Sequence, residues 1–246
     1  ILVINLGLFR FGATYRSYPP VFEAYVGEKI NYRALVLDEP DIREKNQKLT
    51  AQLEEEGVKT KVLITTDFNT RFKYGDKISF LGTLEKPENF ITDQGKNFDY
   101  KNFLRKDKIL YLASYPEIEI ISRDGGSPIK RALFFVKDKF ISKVNRVIPS
   151  PESLLMGGLI LGEKSAFNET IRQNFVDTGT IHMVALSGYN VTIIAEWIMK
   201  LFAFFPFNVG LTACLFLFFL FVLLTGASST AIRAGAMASL ALFARM

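Results

Sequence analysis

The 246-residue chain has one histidine, one cysteine and one tryptophan. A lone cysteine excludes an intrachain disulfide, and one histidine beside one cysteine cannot build a metal centre that needs several of either. No metal or other cofactor is therefore expected. Charge is scarce in the last third and concentrated before residue 150, whereas apolar residues gather after it. A chain that is 49% hydrophobic, with 23 Phe, and divided in this way reads as a water-facing domain followed by a membrane domain. The net charge of +5 suits a partner such as anionic lipid or nucleic acid, although many membrane proteins are basic. The chain opens without an initiator methionine, a basic n-region or a small-residue cleavage site, which argues against a cleavable signal peptide. Residues 1–13 are apolar apart from Asn5 and Arg10 and too short to span a bilayer. They read as the tail of a transmembrane helix, and the whole chain as a piece of a larger protein.

Pro19-Pro20 argues against helix and for an extended segment. Residues 20–122 then read as a β domain. Lys29 to Leu37 begins with alternation of polar and apolar residues, and Leu49–Glu54 and Val58–Thr66 look like a hairpin with Gly57 near its turn. Gly75-Asp76 signals a turn before the strand Lys77–Leu84, and Pro87 ends that strand. Asp99–Asp107 is a short helix candidate with Phe98, Tyr100, Phe103 and Leu104 on its apolar face. Ile109–Ala113 and Glu117–Ser122 supply the last strands. About five strands with a helix before the last are compatible with an OB-type barrel and with other small β-barrels. Its aromatic residues read first as core. Arg33, Lys59, Lys61, Arg71, Lys73 and Lys77 are interspersed with acids and form no stripe.

Asp124 to Pro128 reads as a linker. Residues 129–148 follow with helical periodicity: Leu133, Val136, Phe140, Val144 and Val147 share a face and basic residues lie elsewhere. A basic amphipathic helix of this kind suits a membrane surface; the alternative is docking on the β domain. Residues 152–246 form the membrane domain. Leu154–Leu161 is short and apolar with Gly158-x-x-x-Gly162, and Glu163–Asp177 is an amphipathic helix. Thr180 to Phe205 predicts a central helix long enough to span with tilt, breakable at Gly188. Pro206 separates it from an uncharged second span, Phe207–Leu224; a polar break at Thr225–Thr230 leads into a third, Ala231–Met246, rich in small residues.

The central helix carries His182-Met183-Val184-Ala185-Leu186-Ser187-Gly188-Tyr189-Asn190. Polar groups at membrane depth face a bundle interior or a water-filled route, so this stretch either ties helices together or lines a pathway. A regular helix sets His182, Asn190 and Glu196 within an arc of roughly 120° and leaves Ser187 outside it. Glu196, Trp197 and Lys200 equally suit a membrane interface. Arg233, in the third span, either snorkels from the span's end or, deeper, requires a partner or a phosphate.

These residues resemble the ComEC family, the membrane channel proteins of bacterial competence that pass one DNA strand into the cell. The resemblance rests on the stretch from His182 to Asn190, where Asn190 stands at a position that often holds a second histidine. It continues in Gly158–Glu163, in Phe175–Thr180 and in Leu224–Ala234, and covers most of the C-terminal third in order. In the β domain it includes Gly75-Asp76, Pro87 and the tract Phe98-Asp99-Tyr100-Lys101-Asn102-Phe103-Leu104. The resemblance implies a mixed architecture: a small OB-like β-barrel outside the cytoplasm, then an α-helical transmembrane competence domain in the bacterial cytoplasmic membrane. It implies conduction of single-stranded DNA without chemistry by this portion, with His182, Ser187, Gly188, Asn190 and Arg233 lining or shaping the path. Partners would be the DNA strand, the lipid bilayer and other competence proteins, and a homo-oligomer is compatible. Many members of the family also carry a C-terminal nuclease domain, which these residues do not include. Two other readings stay open. One is an intramembrane hydrolase using His182 and Ser187, disfavoured because an i, i+5 separation points them to different sides of a helix. The other is a membrane-anchored OB-type adaptor.

Overall fold

The computed structural model describes residues 17–43, 45–92, 95–161, 169–180, 188–202, 204–226, 231–233 and 235–237. In chain order its elements are α1 (Pro20–Glu23), β1 (Lys29–Val36), β2 (Asp41–Ile42), β3 (Gln47–Glu55), β4 (Val58–Thr66), β5 (Lys77–Thr83), β6 (Phe90–Ile91), β7 (Asn97–Phe98), α2 (Tyr100–Arg105), β8 (Ile109–Ser114) and β9 (Glu117–Ser122). The helices α3 (Pro128–Val147), α4 (Glu152–Leu161), α5 (Glu169–Asp177), α6 (Gly188–Phe202) and α7 (Phe207–Leu224) complete it. The chain divides into two units, Ile1–Leu37 with Lys48–Gly125, and Asp38–Gln47 with Gly126–Met246.

The first unit is built on the strand path β8-β4-β3-β1-β5-β9. Strand β1 pairs antiparallel with both β3 and β5, whereas β4 and β8 run parallel. Glu85, just beyond β5, exchanges two backbone hydrogen bonds with Leu112 of β8, at 2.9 and 2.8 Å. That exchange joins β5 back to the far end of the path, so β1, β3, β4, β8 and β5 form a closed circuit. The circuit is compatible with an OB-type barrel. Burial alternates along the strands as a half-covered sheet requires: β3 reads buried at Gln47, Leu49, Ala51 and Leu53, with the residues between them only partly so. The interior holds Val36, Leu49, Val62, Ile64, Ile78, Phe80 and Tyr111.

Turn chemistry accounts for the sharp reversals. Glu56 and Gly57 both have positive φ (50° and 76°), the geometry of a two-residue hairpin turn whose twist matches its strands. Gly75, at φ 85°, donates its N–H to the Val36 carbonyl at 3.0 Å and accepts from the Gly125 N–H at 2.9 Å. A Cβ on Gly75 would lie 2.4 Å from the Gly125 oxygen. The turn thus brings two stretches of backbone together where no side chain fits.

One expectation fails here. Pro19-Pro20 does not keep the chain extended, since Pro20 opens α1 at its first position. A proline there loses no hydrogen bond, because the first N–H groups of a helix have no intrahelical acceptor, and its fixed φ is already helical. The helix places Phe22 (1% exposed) against Tyr111, with ring centroids 6.1 Å apart.

Tyr111 is fully buried, and its hydroxyl has no hydrogen-bond partner among the described residues. Burial, then the charge of Glu23, pushes its phenol far above the ordinary value, and burial raises Tyr32 to about 12. Both folded values lie above the unfolded one. Their contribution is therefore complete below the ordinary value of 10.0 and is lost as pH rises through the folded values. The melting temperature of the β unit should fall as pH climbs from 10 to 12. Tyr111→Phe removes an unsatisfied buried hydroxyl, so it should raise neutral-pH stability by about 1 kcal/mol and flatten the alkaline fall. Circular dichroism melts at several pH values measure both.

In the second unit, α3 begins at Pro128, the last residue of the expected linker, and packs on α4 and α7. It buries Phe134 and Lys137, and the Lys137 ammonium is paired with Glu39. Ile129, Val136, Phe140 and Val147 are exposed. The predicted central helix does not start at Thr180, whose N–H donates to the Phe175 carbonyl at 2.9 Å and closes α5, with Gly179 at φ 68°. Its described part, α6, runs Gly188–Phe202 and packs on α7. The span predicted at Phe207–Leu224 coincides with α7. Among the described residues no helix is long and apolar enough to cross a membrane.

Candidate nucleic-acid interface

The tract Phe98–Leu104 folds into a compact local unit because each residue type has a separate task. Asp99 caps α2: its Oδ1 accepts from the Asn102 N–H at 3.2 Å and its Oδ2 from the Asn102 side-chain amide at 2.7 Å. Those bonds, the side-chain one first, hold the Asp99 carboxyl below the usual carboxylate range. Leu104 is buried (4% exposed) and anchors the helix to the β unit. Immediately before the tract, β6 and β7 pair as a small hairpin with Phe90 opposite Phe98, closed where the Gly95 N–H donates to the Thr92 carbonyl at 2.7 Å.

The rings left over form a cluster at the surface. Phe90 stands 5.4 Å from Phe98 and 5.7 Å from Tyr100, and Phe98 stands 5.5 Å from Phe103, centroid to centroid. Such pairs stabilise the hairpin by about 0.5–1.5 kcal/mol each. Phe90 and Phe103 remain 49% exposed, so their outer faces are not core. On the other side of α2, Lys101 and Arg105 are four residues apart and approach the Tyr18 ring, at 5.9 and 5.4 Å from its centroid. Lys86 lies 4.7 Å from the same centroid and is ion-paired with Glu23 at 2.6 Å. The buried Leu104 separates the rings of Tyr100 and Phe103 from Lys101 and Arg105, and Lys106 lies 5.2 Å from the Phe103 centroid, so the aromatic side carries a cation of its own. Flat π-faced groups can stack on the rings, and anions are drawn to the cations.

The six basic residues singled out in the sequence do not build this surface. The missed ones are Lys86, Lys101 and Arg105, which only the fold brings to Tyr18. The tract's own aromatic spacing was the available signal, but it reads first as core.

Of the predicted path residues, His182 and Ser187 lie outside the described residues. Gly188 opens α6 and Asn190 falls in its first turn. Arg233 sits in a short helical stretch and is exposed, while Ala231 beside it is buried. A Cβ on Gly235 would approach Phe218 of α7 to 3.1 Å, so this glycine lets α7 come close. An open groove of about 730 Å³ runs along α6, lined by Ile160, Ile193, Trp197, Leu201 and Phe204. Lys200 is the one charged residue on its otherwise apolar wall. Among the described residues, no group of three or more His, Cys, Asp or Glu could hold a metal ion.

Residues 159–246 match the family model described as Competence protein. Over 165 residues the chain is 26% identical to ComE operon protein 3 of Bacillus subtilis (strain 168). Both findings support the resemblance of this chain to the ComEC family of competence proteins. The alignment covers 66% of this chain and 21% of the Bacillus protein, so the chain spans about a fifth of that relative's length. The competence region therefore begins within α4 and takes in all five predicted path residues. Among solved structures, an aspartyl tRNA synthetase from Entamoeba histolytica aligns with 76% of this chain and 37% of its own, at TM-score 0.27 and 9% identity. That likeness is too slight to bear on fold or function.

Proposed function

We propose that this chain is part of a channel that passes single-stranded DNA across the bacterial cytoplasmic membrane during natural transformation. The observation that carries this reading is the competence-family match over residues 159–246, which contains His182, Ser187, Gly188, Asn190 and Arg233. A conducting role asks for polar groups at membrane depth and a positive charge for phosphates, and no bond in the strand needs to change. His182, Ser187 and Asn190 supply the polar groups and Arg233 the charge, with Gly188 shaping the backbone between them. The strand, the lipid bilayer and other competence proteins are the partners, and a homo-oligomer remains compatible.

In this reading the first unit is an OB-like barrel outside the cytoplasm. Helix α3 lies on the membrane surface. Helical geometry puts Ile129, Val136, Phe140 and Val147 within about 40° of one another, and Lys139, Lys143 and Arg146 to one side of that stripe. All four apolar residues are exposed, which suits a face immersed in lipid. The 18 residues of α7 carry no charge.

The orientation has a direct test. In a cysteine-free version of the full-length protein, Lys101→Cys should react with a membrane-impermeant maleimide in intact cells. Reaction only after lysis would place the β unit in the cytoplasm and overturn this topology.

A further inference from the structure

The two sides of α2 differ in chemistry, and a single nucleic-acid strand carries the complement of both. Its bases present flat π-faces, and its phosphates carry one negative charge per nucleotide. We infer that the surface formed by the β6–β7 hairpin and α2 is a binding site for single-stranded DNA, with bases on Phe90 and Phe103 and phosphates at the cations around Tyr18. This rests on the reading that the channel's cargo is a single strand.

Three observations favour that occupant. First, the exposed rings lie on a hairpin and a helix already held together by their own ring contacts and by the Asp99 cap, so the platform exists before a ligand arrives. A preformed platform spares the ligand the cost of ordering it. Second, Lys86, Lys101 and Arg105 all approach one ring, with Lys86 also ion-paired to Glu23. Bringing cations together in this way is repulsive, and a phosphate relieves it. Third, the hairpin and α2 fill the connection between β5 and β8, the two strands whose bonds at Glu85 and Leu112 close the barrel circuit. In OB-type barrels the connection before the last strand is one of the oligonucleotide-binding loops. A purely apolar partner would account for the rings but leave the cations without a function. A duplex would account for the cations but hides its base faces within the stack.

The test separates stacking from charge. The complete chain, purified in detergent, is titrated with a fluorescent oligothymidylate across a salt series. Phe103→Ala and Phe90→Ala should each weaken binding about tenfold while leaving the salt slope unchanged. Lys86→Gln combined with Lys101→Gln should instead flatten the slope of log K against log salt, by about 0.7 for each phosphate no longer neutralised. Phe103→Trp should retain affinity, since an indole also stacks. Because Phe90, Phe103 and Lys101 are exposed, circular dichroism of these variants should match wild type. Absence of wild-type binding at low salt would overturn the inference and leave conduction by the competence region standing. Binding that the Phe variants do not weaken would also overturn it. So would capture of anionic lipid vesicles through Phe90 by a chain that ignores the oligonucleotide.

Discussion

In the full-length protein, Arg233→Leu is expected to lower transformation by about a hundredfold or more, the factor that corresponds to losing about 3 kcal/mol from a charged hydrogen bond to phosphate. The side chain is exposed on a short helical stretch whose small residues let α7 approach closely. A guanidinium so placed is available to a passing polyanion, and an aliphatic side chain of similar reach is not. Arg233→Lys should keep part of the activity, because a phosphate is attracted to any cation although the bidentate geometry is lost. Asn190→His should be tolerated, given the histidine that family members often place at that position. Immunoblots of membrane fractions must show wild-type abundance in each variant. Full transformation by Arg233→Leu would remove this residue from the pathway. Loss of the protein itself would instead assign Arg233 a role in helix packing.

The second large effect concerns the barrel. Gly75→Ala should destabilise the β unit by about 3 kcal/mol, combining the strain of positive φ with a forced backbone shift. For a domain of about 100 residues, that lowers the melting temperature by roughly 12–24 °C. The clash partner is the Gly125 carbonyl, a backbone atom that cannot rotate away. Gly57 provides the internal control. Its φ is 76°, yet a Cβ there meets nothing within 4 Å. Gly57→Ala should therefore cost about 1–2 kcal/mol from strain alone. Thermal melts of the two variants isolate the close approach, and equal melting temperatures would refute it.

Local patterns were legible and distant juxtapositions were not. The hairpin around Gly57, the turn at Gly75-Asp76, the short helix capped by Asp99 and the boundaries of α7 all follow from neighbouring residues, through period-two alternation, turn chemistry or an uncharged run. The proline pair was misread because its effect depends on position: Pro20 is incompatible with the interior of a helix and well suited to its first residue. The parallel pairing of β4 with β8 joins strands more than forty residues apart, beyond the reach of any local pattern. The basic side of α2 escaped for a similar reason. Tyr18, Lys86 and Lys101 belong to three separate segments, and their convergence follows from barrel closure at Glu85 and Leu112. On α3, periodicity identified an apolar face, which lies outward at Val136, Phe140 and Val147. The buried side instead holds Phe134 and a lysine, Lys137, paired with Glu39 from a distant loop. The signature from His182 to Asn190 was recognisable as a pattern of residue types, and its competence assignment agrees with the family match.

Radiolabelled double-stranded DNA offered to competent cells most directly tests whether this protein carries a strand inward. Cells lacking the gene should still bind label at their surface, but none of it should become resistant to external nuclease, and the intact gene should restore a protected single-stranded pool. Normal accumulation of protected single strands in the deletion strain would contradict the channel assignment.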